Sequence, residues 1–154
     1  MTTSPIPTQA SATHPQVRES MHPGILSCGK TTSASEVARM MVSHHVHCVA
    51  VMGLSRDGRD NPLVWGIISD LDLLAAAANP DAGTSAADLA REPVIVIRPD
   101  DSLQDAAQAM SRYHASHLVV IEPEQFTPIG IISSLDIATV LLDGPAGEPA
   151  GTVH

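Results

Sequence analysis

Two stretches place the same polar residues at the same spacing. "GIISDLD" runs from Gly66 to Asp72 and "GIISSLD" from Gly130 to Asp136. In each, an apolar run suited to a strand ends on a Ser, and an Asp follows three residues later. Such a pair starts a helix well: the Ser caps a free N–H of the first turn, the Asp reaches back to the Ser N–H, and the cap is worth about 1 kcal/mol. The same atoms can grip a ligand. A helix N-terminus offers free N–H groups and partial positive charge to a phosphate. Ser69 or Ser133 can donate to a phosphate oxygen. Asp72 or Asp136 can accept from two vicinal hydroxyls, as an acidic residue does for the ribose in dinucleotide sites. Gly66 and Gly130 leave room for a flat ring, or for close packing alone. One Ser-x-x-Asp says little; two at equivalent places in a repeat are more specific.

A second group of chemically able residues is "SHHVHC" at 43–48, with His114 and His117 in the matching region of the second half. Imidazole and thiolate suit zinc, copper or nickel. Local geometry is expected to scatter them: His44 and His45 point in different directions on a helix, and His47 and Cys48 face opposite sides of a strand. His44, His45, His47 and Cys48 therefore stand as minor metal candidates. The sequence has no Gly-x-Ser-x-Gly elbow, phosphate-cradling Gly-rich loop or spaced Cys pairs, and no enzyme is expected.

The elements that must position these residues form an internal repeat. In the first half, "GILSC" is a strand. Ser33 and Glu36 box the start of a helix with Val37, Met40 and Met41 on one stripe. "CVAVM" and "LVWGII" are strands, and a helix opens on Ser69. In the second half, "PVIVI" is a strand. Ser102 and Asp105 start a helix with Leu103, Ala106, Ala107 and Met110 on its stripe. "HLVVI" and "IGII" are strands, and a helix follows Ser133. Short helices are expected near "QVRESM" and "SAADLA". Alignment sets Ser33 on Ser102, Met41 on Met110 and His45 on His114. The fold class is thus α/β (α+β), two β-α-β-β-α units. Neither can bury both faces of its sheet alone, so the two should pack together. The expected layout is a disordered Ser/Thr/Pro-rich tail at 1–15, repeats at 16–78 and 85–143, a linker at 79–84 and a second disordered tail at 144–154.

Bulk composition narrows the partners. The chain has 154 residues, 44% of them hydrophobic but only 2% aromatic, so Val, Ile, Leu, Ala and Met must build the core. A net charge of −9 with 8 Lys and Arg argues against broad nucleic-acid binding. No apolar run reaches the ~20 residues of a membrane span, and "MTTSPIPTQASATHPQ" is no secretory signal. A cytoplasmic location is expected, with Cys28 and Cys48 as buried, reduced thiols.

With the motif, the strand segments "HCVAVM" and "SHLVVI", and the repeat all in view, the chain resembles a tandem pair of cystathionine-β-synthase-type (CBS) domains, the Bateman module, over roughly residues 17–142. That resemblance implies repeats packed through their sheets about a pseudo-twofold axis, with clefts that take adenosine-containing ligands such as AMP, ADP or ATP. It implies no other cofactor. Asp72 and Asp136 would hold the ribose diol, and Ser69 and Ser133 would meet ribose or phosphate. His47, Ser116 and His117 would line the clefts, and backbone at Ile25 and Val94 would frame the base. It also implies a homodimer, and a signal passed to an effector protein in trans. The chain departs from the family pattern at Leu71 and Leu135, where many members carry an Arg that can bind phosphate bidentately. Ala50 and Val119 replace a usual Pro. Asp70 beside the first motif repels phosphate, which favours the second site. The alternatives are a ligand-free dimerisation module and a metal-responsive protein using the His and Cys residues.

Overall fold

The computed structural model of the protein describes residues 14–54, 62–79, 84–124 and 127–143. The expected tails, apart from residues 14 and 15, and most of the linker lie outside these residues.

Polar caps start the helices where the Ser-x-x-acid pattern placed them. Helix α1 (Val17–Ser20) precedes α2 (Ala34–His44), α3 (Asp70–Ala78), α4 (Ala86–Leu89), α5 (Leu103–Tyr113) and α6 (Ser134–Asp143). Ser69, Ser85 and Ser102 form complete capping boxes with Asp72, Asp88 and Asp105. The box expected at Ser33 is only half made. Ser33 Oγ accepts from the Glu36 N–H at 3.2 Å, but the Glu36 carboxylate turns to Arg39, 2.6 Å away. The equivalent helices α2 and α5 end alike, with His45 and His114 in the left-handed region at φ 54° and 53°. That backbone releases the chain directly into the next strand.

The strands are β1 (His22–Pro23), β2 (Ser27–Gly29), β3 (Cys48–Leu54), β4 (Pro62–Ser69), β5 (Val96–Ile97), β6 (His117–Glu122) and β7 (Thr127–Ser133). One sheet has the order β1-β7-β6-β5 and the other β2-β3-β4. The first strand of each half is shorter than the apolar run that announces it. Ser27–Gly29 replaces the expected span at 24–28, and Val96–Ile97 replaces 93–97. Each pairs in parallel with the middle of the central strand, and the residue just before each pairing, Leu26 or Ile95, accepts a further backbone hydrogen bond from Ala50 or Val119.

Both faces of each sheet are covered, which explains the unbroken apolar runs. Val49, Val51 and Ile68 face the helices of the first unit, beside Val37 and Met41. Leu118, Val120 and Ile132 do the same in the second, beside Leu103, Ala106 and Met110. The alternate residues Cys48, Ala50, Ile67 and Val119 form a third core between the sheets.

The units exchange their opening segments. Val17 of α1 is fully buried in the second unit's core, while Ala86 and Leu89 of α4 lie in the first unit's core. Strand β1 likewise pairs with β7, setting Pro23 opposite Gly130. This crossing accounts for the motif glycines. A Cβ at Gly130 would lie 2.6 Å from the His22 carbonyl oxygen, and one at Gly66 would lie 2.9 Å from the Ala90 Cβ. Gly130→Ala is therefore expected to cost about 1–3 kcal/mol in urea unfolding. An unchanged midpoint would show that the crossing strand yields freely.

Candidate functional site

The two motifs meet different surroundings. At the first, Asp72 Oδ2 accepts from the Ser69 N–H at 2.8 Å, and Ser69 Oγ accepts from the Asp72 N–H at 3.3 Å. At the second, Asp136 Oδ2 accepts from the Ser133 N–H at 2.8 Å and the Ser133 hydroxyl at 2.9 Å. Its other oxygen, Oδ1, lies 2.9 Å from Nε2 of His22. The capping reading is thus realised at both motifs. It uses Oδ2 at both; Oδ1 of Asp136 is held by an imidazole that is largely exposed.

A cavity of about 500 Å³ opens beside the second motif. Its walls bring together Ile25, His47, His117 and Ser133 from the expected ligand set, with His44, His45 and Cys48 from the metal candidates. Asp136 adjoins it through His22, which also lines the wall. The cavity draws on both units: segment 22–26 and the turn at 44–48 from one, β6 and β7 from the other. Ser69, Asp72, Ser116 and Val94 do not line it. Val94 packs against the core between the sheets.

Two geometric expectations about the histidines need correction. His47 precedes β3 rather than belonging to it, so strand alternation does not separate it from Cys48, and both reach the cavity. His45 ends α2 in a left-handed turn, so it is not splayed from His44 by helical rotation, and both line the same wall. The two histidine-bearing regions do meet across the repeats. Even so, among the described residues no group of three or more His, Cys, Asp or Glu is arranged to hold a metal ion. His47 is tied instead to Asp70, with Nδ1 3.0 Å from Oδ2. The acid expected to repel phosphate at the first motif is therefore paired with an imidazole.

Behind the cavity lies a buried polar cluster. Ser116 donates its N–H (3.1 Å) and hydroxyl (2.5 Å) to Oε1 of Glu92. Nδ1 of His117 lies 2.9 Å from Glu92 Oε2, and a carboxylate only accepts, so Nδ1 carries the proton. The side chains of His117 and Glu92 are 7% and 9% exposed. Burial by itself would lower the pKa of His117. Hydrogen bonds and charge from Cys48 and Glu92 outweigh it and raise the value to about 10. Burial likewise opposes the charge of Glu92, but His117 and Ser116 hold its carboxyl below the ordinary value. Sequence reasoning missed His22 and Glu92. Both sit in the segments that cross between units, and nothing local to either marks it.

The matched family and folds agree with this geometry. The CBS domain family model matches residues 17–79 and 86–143. No curated protein sequence matches the chain. Among solved structures, the CBS domain pair of protein MJ0100, in complex with 5-methylthioadenosine and S-adenosyl-L-methionine, is similar at a TM-score of 0.67 and 20% identity, covering 83% of this chain and 96% of that one. The CBS domain protein PAE2072 from Pyrobaculum aerophilum, complexed with AMP, reaches 0.63 and 24%, covering 81% and 99%. Hypoxic Response Protein I, with two coordinated zinc ions, reaches 0.57 and 24%, covering 80% and 97%. At these identities the likeness speaks for the fold. The family match spans most of the chain in two copies, at the two repeats that its motifs mark out: this protein belongs to the CBS-domain family, as a tandem CBS pair.

Proposed function

We propose that the cavity beside the second motif binds an adenosine-containing ligand, and that the module is regulatory rather than catalytic. The observation that carries this reading is the convergence of Ile25, His47, His117 and Ser133 from both repeats on one cavity, with Asp136 at its edge. Its volume of about 500 Å³ lies within the range of small-molecule sites. Asp136 keeps Oδ2 on its own helix cap, and Oδ1 exchanges His22 for the ribose hydroxyls. Ser133 and the helix N-terminus face the phosphate or its replacement. Imidazoles take the part of the Arg that Leu135 replaces. The ligands bound to MJ0100 and PAE2072 are of this class. A ligand that spans the two repeats favours one setting of the halves by its difference in affinity between settings, and a partner protein reads the outcome.

Thermal unfolding with AMP, ADP, ATP, S-adenosylmethionine, NAD or zinc tests the reading. A ligand at 100 times its dissociation constant adds about 2.7 kcal/mol, a shift of several degrees. A shift with one or more of the adenosyl compounds is expected. No shift with any of them would leave a ligand-free module, and a shift with zinc alone would favour the metal reading.

Self-association has its own support. None of the residues of α3 is buried, and Leu71 and Leu74 are 70% and 65% exposed. On α6, Leu135 and Leu141 are 63% and 76% exposed. Leu71 and Leu135 occupy equivalent places in the two motifs, so both ends of the module present similar apolar helices to a second copy. A patch of this kind on both repeats suits a twofold interface. The double substitution Leu71→Asp with Leu135→Asp should yield monomers in sedimentation experiments, against dimers for the native chain. An unchanged sedimentation coefficient would exclude these helices as the interface.

A further inference from the structure

Imidazole crowds one part of this molecule. Five of the chain's eight histidines, His22, His44, His45, His47 and His117, line the cavity of about 500 Å³. Among the described residues, none of those lining it is Lys, Arg, Asp or Glu. The charge of the wall is therefore set by protons on imidazole, the side chain that ordinarily changes charge between about pH 5 and 8. The five differ in what they face. His117 is buried against Glu92, with Nδ1 2.9 Å from Oε2, so its charge is balanced there. His22 stands 2.9 Å from Asp136 Oδ1 and His47 3.0 Å from Asp70 Oδ2, so a proton gained by either cancels a carboxylate. His44 and His45 have no carboxylate partner among the described residues. His44 is the last residue of α2, and its Nδ1 lies 3.0 Å from the Met40 carbonyl oxygen, which only accepts. Nδ1 therefore carries a proton, and Nε2 is left to take up the second. His45 follows in the left-handed turn, and the carbonyls of a helix C-terminus favour positive charge on both. The other polar side chains of the wall, the Cys48 thiol and the Ser133 hydroxyl, gain no positive charge.

We propose that this imidazole wall is a proton-dependent anion subsite, which takes the phosphate groups of an adenosine phosphate and gains affinity for them as pH falls from about 8 to 6.5. With the exposed imidazoles neutral, Asp70 and Asp136 leave the surroundings of the cavity negative. With them protonated, both carboxylates are cancelled, and His44 and His45 supply an excess of positive charge. A phosphate entering the cavity favours the protonated wall, so binding takes up protons; a sulfonium ligand favours the neutral wall and binds less well as pH falls. That the ligand carries adenosine rests on the function proposed above; that its charge is negative rests on the wall alone.

Calorimetry on the full chain tests this with AMP, adenosine and pyrophosphate, in EDTA so that no metal contributes. The second pKa of a phosphate monoester is about 6, so the range ends at about pH 6.5, where AMP is still largely a dianion. AMP affinity is expected to rise about tenfold or more from pH 8 to 6.5, because each proton taken up on binding changes affinity up to about tenfold per pH unit. Buffers of different ionisation enthalpy should report that uptake directly. Pyrophosphate should follow the same trend, and adenosine should change by less than about twofold. His44→Lys, whose charge does not titrate in this range, should raise AMP affinity at pH 8 and shrink the gradient. His44→Gln with His45→Asn should lower AMP affinity at pH 6.5 and flatten it; a gradient undiminished in both variants would overturn the assignment. Equal, pH-independent binding of AMP and adenosine would also overturn it while leaving the ligand reading in place. Proton-linked binding of pyrophosphate without binding of either adenosyl compound would sink the ligand reading and keep the anion subsite. Binding of neither AMP nor pyrophosphate at any pH in the range would refute both.

Discussion

Glu92→Ala is expected to lower the unfolding free energy by about 3–5 kcal/mol, because it breaks a buried ion pair by removing one partner. The Glu92 carboxylate takes both hydrogen bonds from Ser116 and the Nδ1–H of His117, with side chains 9% and 7% exposed. Without it, His117 must give up its charge in a buried site, and Ser116 loses its acceptor. The midpoint of thermal unfolding should fall by roughly 10–20 °C. The same cluster fixes a pH dependence. His117 is raised from 6.5 to about 10, so its contribution is complete below pH 6.5 and is lost as pH climbs toward 10. Glu92 is lowered from 4.5, so its contribution is complete above pH 4.5 and is lost as acid protonates the folded form. Stability from the pair is therefore full between pH 4.5 and 6.5 and declines on the alkaline side. Urea midpoints from pH 6 to 10 should fall in the native protein and fall less steeply in Glu92→Ala, where only the Cys48 contact still raises the His117 value. Equal slopes in the two would show that the pair contributes little.

Asp136→Ala is expected to weaken adenosyl-ligand binding by about a hundredfold or more, since each hydrogen bond to a charged group is worth about 1.5–3 kcal/mol and a diol uses two. Some stability is lost with it, about 1 kcal/mol, because Asp136 also completes the cap of α6 through Ser133. Asp72→Ala removes the same kind of cap at α3 without touching the cavity. It should cost similar stability and leave affinity unchanged. Calorimetry on both variants separates the effects. Equal loss of affinity would place ligand at both motifs, and loss only in Asp72→Ala would move the site to the first. His22→Ala frees Oδ1 of Asp136 from an exposed pair worth about 0–1 kcal/mol, so it should leave affinity unchanged or raise it up to about fivefold.

The sequence by itself determined whatever rests on contacts between near neighbours. Ser33, Ser69, Ser85 and Ser102 cap helices because each reaches a donor three residues ahead. The continuous apolar runs around Val49–Val51 and Leu118–Val120 announce strands buried on both faces. The doubled motif and the repeat carry the family. Only the tertiary structure placed the second motif beside a cavity. Both read almost alike, but His22 crosses 114 residues to reach Asp136. It also decided that Glu92 and Cys48 converge on His117, and that each unit buries the other's opening helix. Local patterning sets which face of an element is apolar and where it begins. It does not rank the distant partners that face can meet, because those are chosen only when the two similarly folded halves pack together.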